Sequence, residues 1–244
     1  MNVYTTILEK KAKGLKQFAV LIDPDKAIPE EIERIASISN DAKVDYFFVG
    51  GSLLTNDHLG KCILLLKQHS NIPVVIFPGS SMQINSNADA ILLLSLISGR
   101  NPEMLIGKHV VSAPYLRDSK LEIIPTGYML IESGKATTVL YMSNSQPIPS
   151  DKDEIAVCTA MAGEMLGLKL IYMDAGSGAL NPVSASMIKS VQSNINVPLI
   201  VGGGIKTPEK AFEHCQNGAD LVVIGNAFEK ESGLIKEIAF AVKQ

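Results

Sequence analysis

The stretch from Pro198 to Glu229 constrains the fold of this chain more than any other. It reads PLIVGGGIKTPEKAFEHCQNGADLVVIGNAFE: an apolar run ending in three glycines, an amphipathic segment, then a second apolar run ending in Gly225-Asn226. Two strands separated by a helix run parallel, so both glycine-terminated ends fall side by side at one face of the sheet. Without Cβ atoms, their backbone N–H groups are open to close approach by an anion. In a (β/α)8 barrel, the loops after strands seven and eight are where phosphate binds. A phosphorylated ligand on an α/β scaffold is the first expectation.

Eight apolar runs are spaced along the 244 residues: 18–22, 46–49, 74–77, 90–94, 123–131, 169–173, 199–201 and 221–224. Most returns between them carry a helical period. Ile32, Ile35 and Ile38 share one face after Pro29, Leu59, Ile63 and Leu66 another after the candidate cap Asp57, and Met187, Ile188 and Val191 a third after Pro182. A lead-in helix is expected over 5–13, and helices over 153–166, from Pro208 and over 234–242. The chain is thus expected to be a single domain, residues 1–244, of the α/β (β/α)8 TIM-barrel class. Residues 81–89 are too short and polar for a barrel helix, so the helix around strands three and four is expected to be irregular or missing, leaving a groove beside strand three. Residues 101–112 read as helical only at their start, and Thr137 to Met142 as β-like.

A formal net charge of −3 and a pI near 5.8 argue against a nucleic-acid partner. Cys62, Cys158 and Cys215 are widely spaced and odd in number, which suits a reducing cytoplasm. The most apolar run, 90–97, is too short to span a bilayer, so a soluble, cytoplasmic protein is expected, one still able to touch a membrane surface to take up a lipid-like substrate.

Chemistry-bearing residues cluster at strand ends. Gly203, Gly204, Gly225 and Asn226 favour phosphate over a plain tight turn, because two such ends are adjacent. Asp174-Ala175-Gly176-Ser177-Gly178 adds a third glycine-rich end, with Ser177 a donor to phosphate and Asp174 an acceptor from a glycerol or sugar hydroxyl. Tyr172 points to the same side of its strand as Asp174; a pocket role stands level with barrel packing for Tyr172 and with a helix or loop cap for Asp174. Asp23, Asp25 and Ser52 offer hard oxygen ligands suited to Mg2+, Asp23 ahead of Asp25 because it terminates its strand, with a solvated Asp25–Lys26 turn pair as the alternative for Asp25. No GxxxxGK[ST] loop, dinucleotide GxGxxG or HExxH motif is present.

Together, LIDPDK at 21–26, GGS at 50–52, YMDAGSGA at 172–179, VGGGI at 201–205 and IGNAFE at 224–229 resemble the geranylgeranylglyceryl phosphate synthase family, which includes bacterial heptaprenylglyceryl phosphate synthases. The resemblance spans nearly the whole barrel in motif order. It implies a Mg2+-dependent prenyltransferase that joins sn-glycerol 1-phosphate to a polyprenyl diphosphate, geranylgeranyl ahead of heptaprenyl. By the same resemblance, Asp23 and Ser52 hold Mg2+, and Tyr172, Asp174, Ala175, Gly176, Ser177, Gly178, Gly203, Gly204, Gly225 and Asn226 surround glycerol phosphate. Asp174 stands where relatives often carry a glutamate in YLEAGSG, which keeps the carboxylate of the implied base and shortens its reach. Family barrels form dimers or hexamers, so a homo-oligomer is implied. Leu96, Ile97, Met104 and Leu105 are candidates to border the prenyl groove or, equally, to pack a core. A phosphosugar isomerase-like barrel and a non-catalytic phosphometabolite sensor are the rival readings.

Overall fold

The computed structural model describes residues 2–225 and 233–244. Eight parallel strands close into a barrel in sequence order: β1 (Gln17–Ile22), β2 (Tyr46–Val49), β3 (Val74–Ile76), β4 (Ala90–Leu96), β5 (Glu122–Leu130), β6 (Leu170–Asp174), β7 (Leu199–Gly202) and β8 (Leu221–Ile224), with β8 pairing back onto β1. The described helices are α1 (Val3–Ala12), α2 (Pro29–Asp41), α3 (Leu59–His69), α4 (Lys108–Ser119), α5 (Thr138–Ser143), α6 (Asp153–Met165), α7 (Ala185–Gln192), α8 (Pro208–Gln216) and α9 (Leu234–Val242). None of the described helices is long and apolar enough to cross a membrane.

The strands are short and apolar because both faces are covered. Alternate residues fill the lumen, among them Phe48, Leu92, Tyr172 and Ile200. The others, such as Phe47, Val49, Met173 and Val201, pack beneath the helices. α1 crosses the floor. Asn2 caps it by accepting from Thr5 N, and the N–H groups of Val3 and Tyr4 donate to the Glu122 carboxylate at the start of β5. Its Lys10 pairs with Asp45 and its Lys11 with Asp220, which tie it to the strands beginning just after each acid. Burial pushes the thiols of Cys62 and Cys215 up to about 12, so both behave as apolar packing groups.

The wall is uneven where the sequence predicts it. No helix separates β3 from β4, which share only the pairs Val75↔Ala90 and Ile76↔Ile91. β4 and β5, by contrast, pair continuously from Ala90↔Glu122 to Leu96↔Tyr128.

Four local expectations are corrected. Residues 101–112 are helical throughout their second part: a π-turn (Glu103–Gly107) leads into α4, which continues through Pro114. Burial of Ser112, Leu116 and Ser119 outweighs the hydrogen bond that Pro114 forfeits. The β-like stretch from Thr137 to Met142 is mostly α5, whose Val139 and Leu140 pack on the lumen cluster and whose end is left-handed at Asn144. Tertiary packing overrides the β-branched composition there. Asp57 does not cap α3, which follows His58 with no side-chain cap. Pro182 does not open α7; Ser184 does, accepting from Met187 N at 3.2 Å.

Candidate active site

β6 delivers Asp174 to the mouth of the barrel, where it is only 6% exposed. Its two oxygens have separate partners: Oδ2 accepts from the Tyr128 hydroxyl at 2.6 Å, and Oδ1 from Gly176 N at 2.7 Å. The β5–β6 register makes this possible by setting Tyr128 beside Tyr172 and Leu130 beside Asp174, so that the phenol reaches up to the carboxylate. Tyr128 and Tyr172 meet edge to face with centroids 5.6 Å apart, and Phe77 stacks on Tyr172 at 5.1 Å. Three rings thus floor the site and keep water from below the carboxylate.

Burial pushes the Asp174 carboxyl above the usual aspartate range, and the bonds from Tyr128 and Gly176 pull it partly back. A carboxylate raised in this way is a stronger base than one in water. Burial, followed by the charge of Asp174, pushes Tyr128 and Tyr172 well above the ordinary phenol range, so both remain protonated and Tyr128 stays a donor.

The glycines surround this carboxylate. Gly203 takes φ +80, and a Cβ there would fall 2.6 Å from Asp174 Oδ1 and 2.6 Å from Gly176 N, so only glycine lets the β7 loop lie against the β6 loop. Gly204 is packed against the backbone of Pro182, which is where that proline acts. Gly176, Ser177 and Gly178 line the same cleft, with Gly225 opposite, beside Leu21. Ala175 is buried and donates its N–H to Gly202 O at 3.1 Å, continuing the sheet rather than lining the cleft. Asn226 lies outside the described residues.

Asp23 directly follows β1 and lines the cleft with Ser52. Gly51 lies against the Asp23 carboxylate, and a Cβ at Gly79 would strike Gly51 O and the Ser52 backbone, so the β3 loop clamps the β2 loop beside Asp23. The donor set is a carboxylate and a hydroxyl, the oxygen chemistry Mg2+ takes, which leaves remaining positions to water and substrate oxygens. Asp23 Oδ2 is paired with Lys26 at 3.0 Å. Asp25 accepts from the Thr55 hydroxyl at 2.9 Å, and among the described residues the acid that Lys26 pairs with is Asp23 rather than Asp25.

The cleft encloses about 870 Å3 and does not stop at the mouth. It continues through the wall where the helix between β3 and β4 is missing, past Phe77, Ile84, Leu93, Met104 and Leu116. Of the expected groove residues, Leu96 and Met104 line it; Ile97 instead packs between Gly127 and Gly163, and Leu105 is not in the lining. Tyr128, which lines the cleft and bonds Asp174, is the site residue that sequence reasoning missed. Its signal was slight: a tyrosine near the end of a strand, whose partner is fixed only by register.

A family model described as PcrB family matches residues 7–242. Geranylgeranylglyceryl phosphate synthase from Chitinophaga pinensis is 58% identical over 241 residues, 99% of this chain and 96% of the relative. The protein of the same name from Spirosoma linguale is 51% identical over 98% of this chain and 96% of its own length. Among solved structures, (S)-3-O-geranylgeranylglyceryl phosphate synthase from Thermoplasma acidophilum in complex with substrate sn-glycerol-1-phosphate superposes with a TM-score of 0.94 at 34% identity, covering 100% of this chain and 99% of that one. Family model, relatives and barrel geometry agree over nearly the full length, and the chain belongs to the PcrB family, alongside the geranylgeranylglyceryl phosphate synthases that its motifs resemble.

Proposed function

We propose that this protein is a prenyltransferase that joins the C3 hydroxyl of sn-glycerol 1-phosphate to C1 of geranylgeranyl diphosphate, forming an ether and releasing diphosphate. The observation that carries the reading is one continuous cleft whose polar end is rimmed by Asp174, Gly203 and Gly204 and whose other end is an apolar passage past Leu93 and Leu116. A phosphosugar isomerase has no use for that passage. The named relatives and the glycerol-phosphate complex of the Thermoplasma acidophilum enzyme support the same chemistry.

In this reading the acceptor phosphate rests against Gly176–Gly178, Gly203, Gly204, Gly225 and Asn226, and the glycerol backbone lies over Tyr172. The C3 hydroxyl donates to Asp174. As the new C–O bond forms and the bond from C1 to diphosphate breaks, Asp174 takes the hydroxyl proton, while the Tyr128 hydroxyl holds Oδ2 in place. Positioning the two substrates along one cleft supplies much of the rate. Asp23 and Ser52 would hold Mg2+, which when bound offsets the negative charge of the diphosphate leaving group. The protein would act as a single catalytic domain in the cytoplasm, as a homo-oligomer that meets membranes only to exchange lipid.

The test is product formation from sn-glycerol 1-phosphate, Mg2+ and a series of labelled polyprenyl diphosphates, with sn-glycerol 3-phosphate as control. A lipid-soluble ether from the 1-phosphate is expected, with geranylgeranyl diphosphate the best donor; no product from any donor would sink the assignment. Asp23→Ala is expected to abolish Mg2+-dependent turnover while glycerol phosphate still binds, and full turnover in that variant would remove Asp23 from the metal site.

A further inference from the structure

The segment 133–137, which leaves β5, lies along the loop that follows β6. Asn181 N donates to Ser133 O at 3.0 Å, and the Ser133 hydroxyl donates to Lys135 O at 3.3 Å. At the other end, a Cβ placed on Gly176 would meet three atoms of the buried Thr137 side chain at 2.9–3.1 Å. The segment is therefore fixed on both sides of Lys135. Between these anchors the Lys135 ammonium comes to the Ser177-Gly178 turn, 3.8 Å from where a Gly178 Cβ would stand, and among the described residues no other atom outside that turn comes within 4 Å of the same point.

Lys26 beside the cleft is engaged by the Asp23 carboxylate. Lys135 has no ion pair or hydrogen bond from its ammonium among the described residues. An exposed cation on a segment anchored at both ends, beside two glycines at positive φ, is suited to an oxyanion facing that turn. Backbone N–H groups alone carry only partial charges, whereas a phosphate monoester near pH 7 is close to a dianion.

We propose that Lys135 is a phosphate ligand of the acceptor site, closing the Gly176–Gly178 loop and taking a phosphate oxygen of the glycerol phosphate. This rests on the acceptor site described under the proposed function. The donor also carries phosphate, but the turn that Lys135 faces belongs to the acceptor end, so the acceptor is the ligand assigned.

Kinetics of Lys135→Met and Lys135→Arg decide it, with each substrate varied while the other is saturating. Losing a charged hydrogen bond should raise KM for sn-glycerol 1-phosphate roughly ten- to hundred-fold in Lys135→Met, with KM for geranylgeranyl diphosphate within about twofold of wild type. Lys135→Arg should recover most of the loss, and added salt should weaken acceptor binding less in Lys135→Met than in wild type. Calorimetry with inorganic phosphate gives a readout independent of prenyl transfer, and the affinity should fall in parallel. Unchanged acceptor KM and phosphate affinity in a folded Lys135→Met protein, or a rise confined to the donor KM, overturns the proposal while leaving the prenyltransferase assignment standing. If wild type makes no ether, phosphate calorimetry still decides whether Lys135 holds the anion.

Discussion

β6 ends in aspartate and β7 in glycine, and both pass into loops folded directly against one another, with the Gly203 backbone touching both Asp174 and Gly176. From β3 to β4 the chain crosses without a helix, and two register pairs are all that join the strands. In the proposed function the first region holds a charged group with rigid backbone, and the second leaves room for something long and apolar. A barrel can do both because the strands on either side are locked by continuous pairing, so a gap in the helical layer does not open the sheet. The contrast teaches that substrate chemistry is divided by sector around the mouth, and each sector can be disturbed alone.

The sharpest way to break the polar sector is Asp174→Asn. Asparagine fits: the Tyr128 hydroxyl can turn from donor to acceptor for the new amide, and the oxygen still accepts from Gly176 N. Loss of the base should lower kcat by about 10²–10⁴-fold while glycerol phosphate affinity changes little, measured by single-turnover kinetics and calorimetry. Stability should move the other way. A carboxyl whose pKa is raised in the fold contributes stability below the ordinary aspartate range and loses it as pH rises through the folded value. Asp174→Asn should therefore raise Tm at pH 7 and change it little at pH 3. Unchanged kcat would remove Asp174 from the chemistry.

The apolar sector is tested by Leu93→Gln, which places an amide in the passage. Burying it beside a hydrocarbon tail should cost about 1–3 kcal/mol, or roughly 5- to 150-fold in donor KM, with acceptor KM unchanged. Equal rises for both substrates would mean that the two sectors are not separate.

The smallest effect sharpens the comparison within the polar sector. Tyr128→Phe removes one of the two bonds that lower the Asp174 pKa, so the carboxylate is lost at a higher pH as the solution is acidified. The acidic limb of kcat/KM should move to higher pH with a modest loss at the plateau. A pH profile that does not move would make Tyr128 a packing residue only.

Much of this was legible in the sequence because fully buried parallel strands appear as short apolar runs and their functional ends as glycine, aspartate and serine. Asp23, Ser52, Asp174 and Gly203 could be picked out because each terminates such a run. Tyr128 could not, since its role depends on a register with a residue 46 positions away. The start of α4 and the whole of α5 are hidden for a related reason: Pro102 and Gly107, and the β-branched Thr138 and Val139, argue against helix locally, and only the surfaces they cover decide otherwise. Pro182 reads as a helix start, yet its place is behind Gly204, a contact between two loops that no local pattern announces.

The floor helix α1 has a consequence in time rather than in space. Its lysines are matched to acids at the starts of β2 and β8, and its first turn is tied to Glu122 at the start of β5. In a chain made from its N-terminus, the earliest helix must wait some two hundred residues for Asp220 before its last ion pair can form. The last tie of α1 is therefore set late in synthesis, after those to Asp45 and Glu122, once the chain has reached the eighth strand.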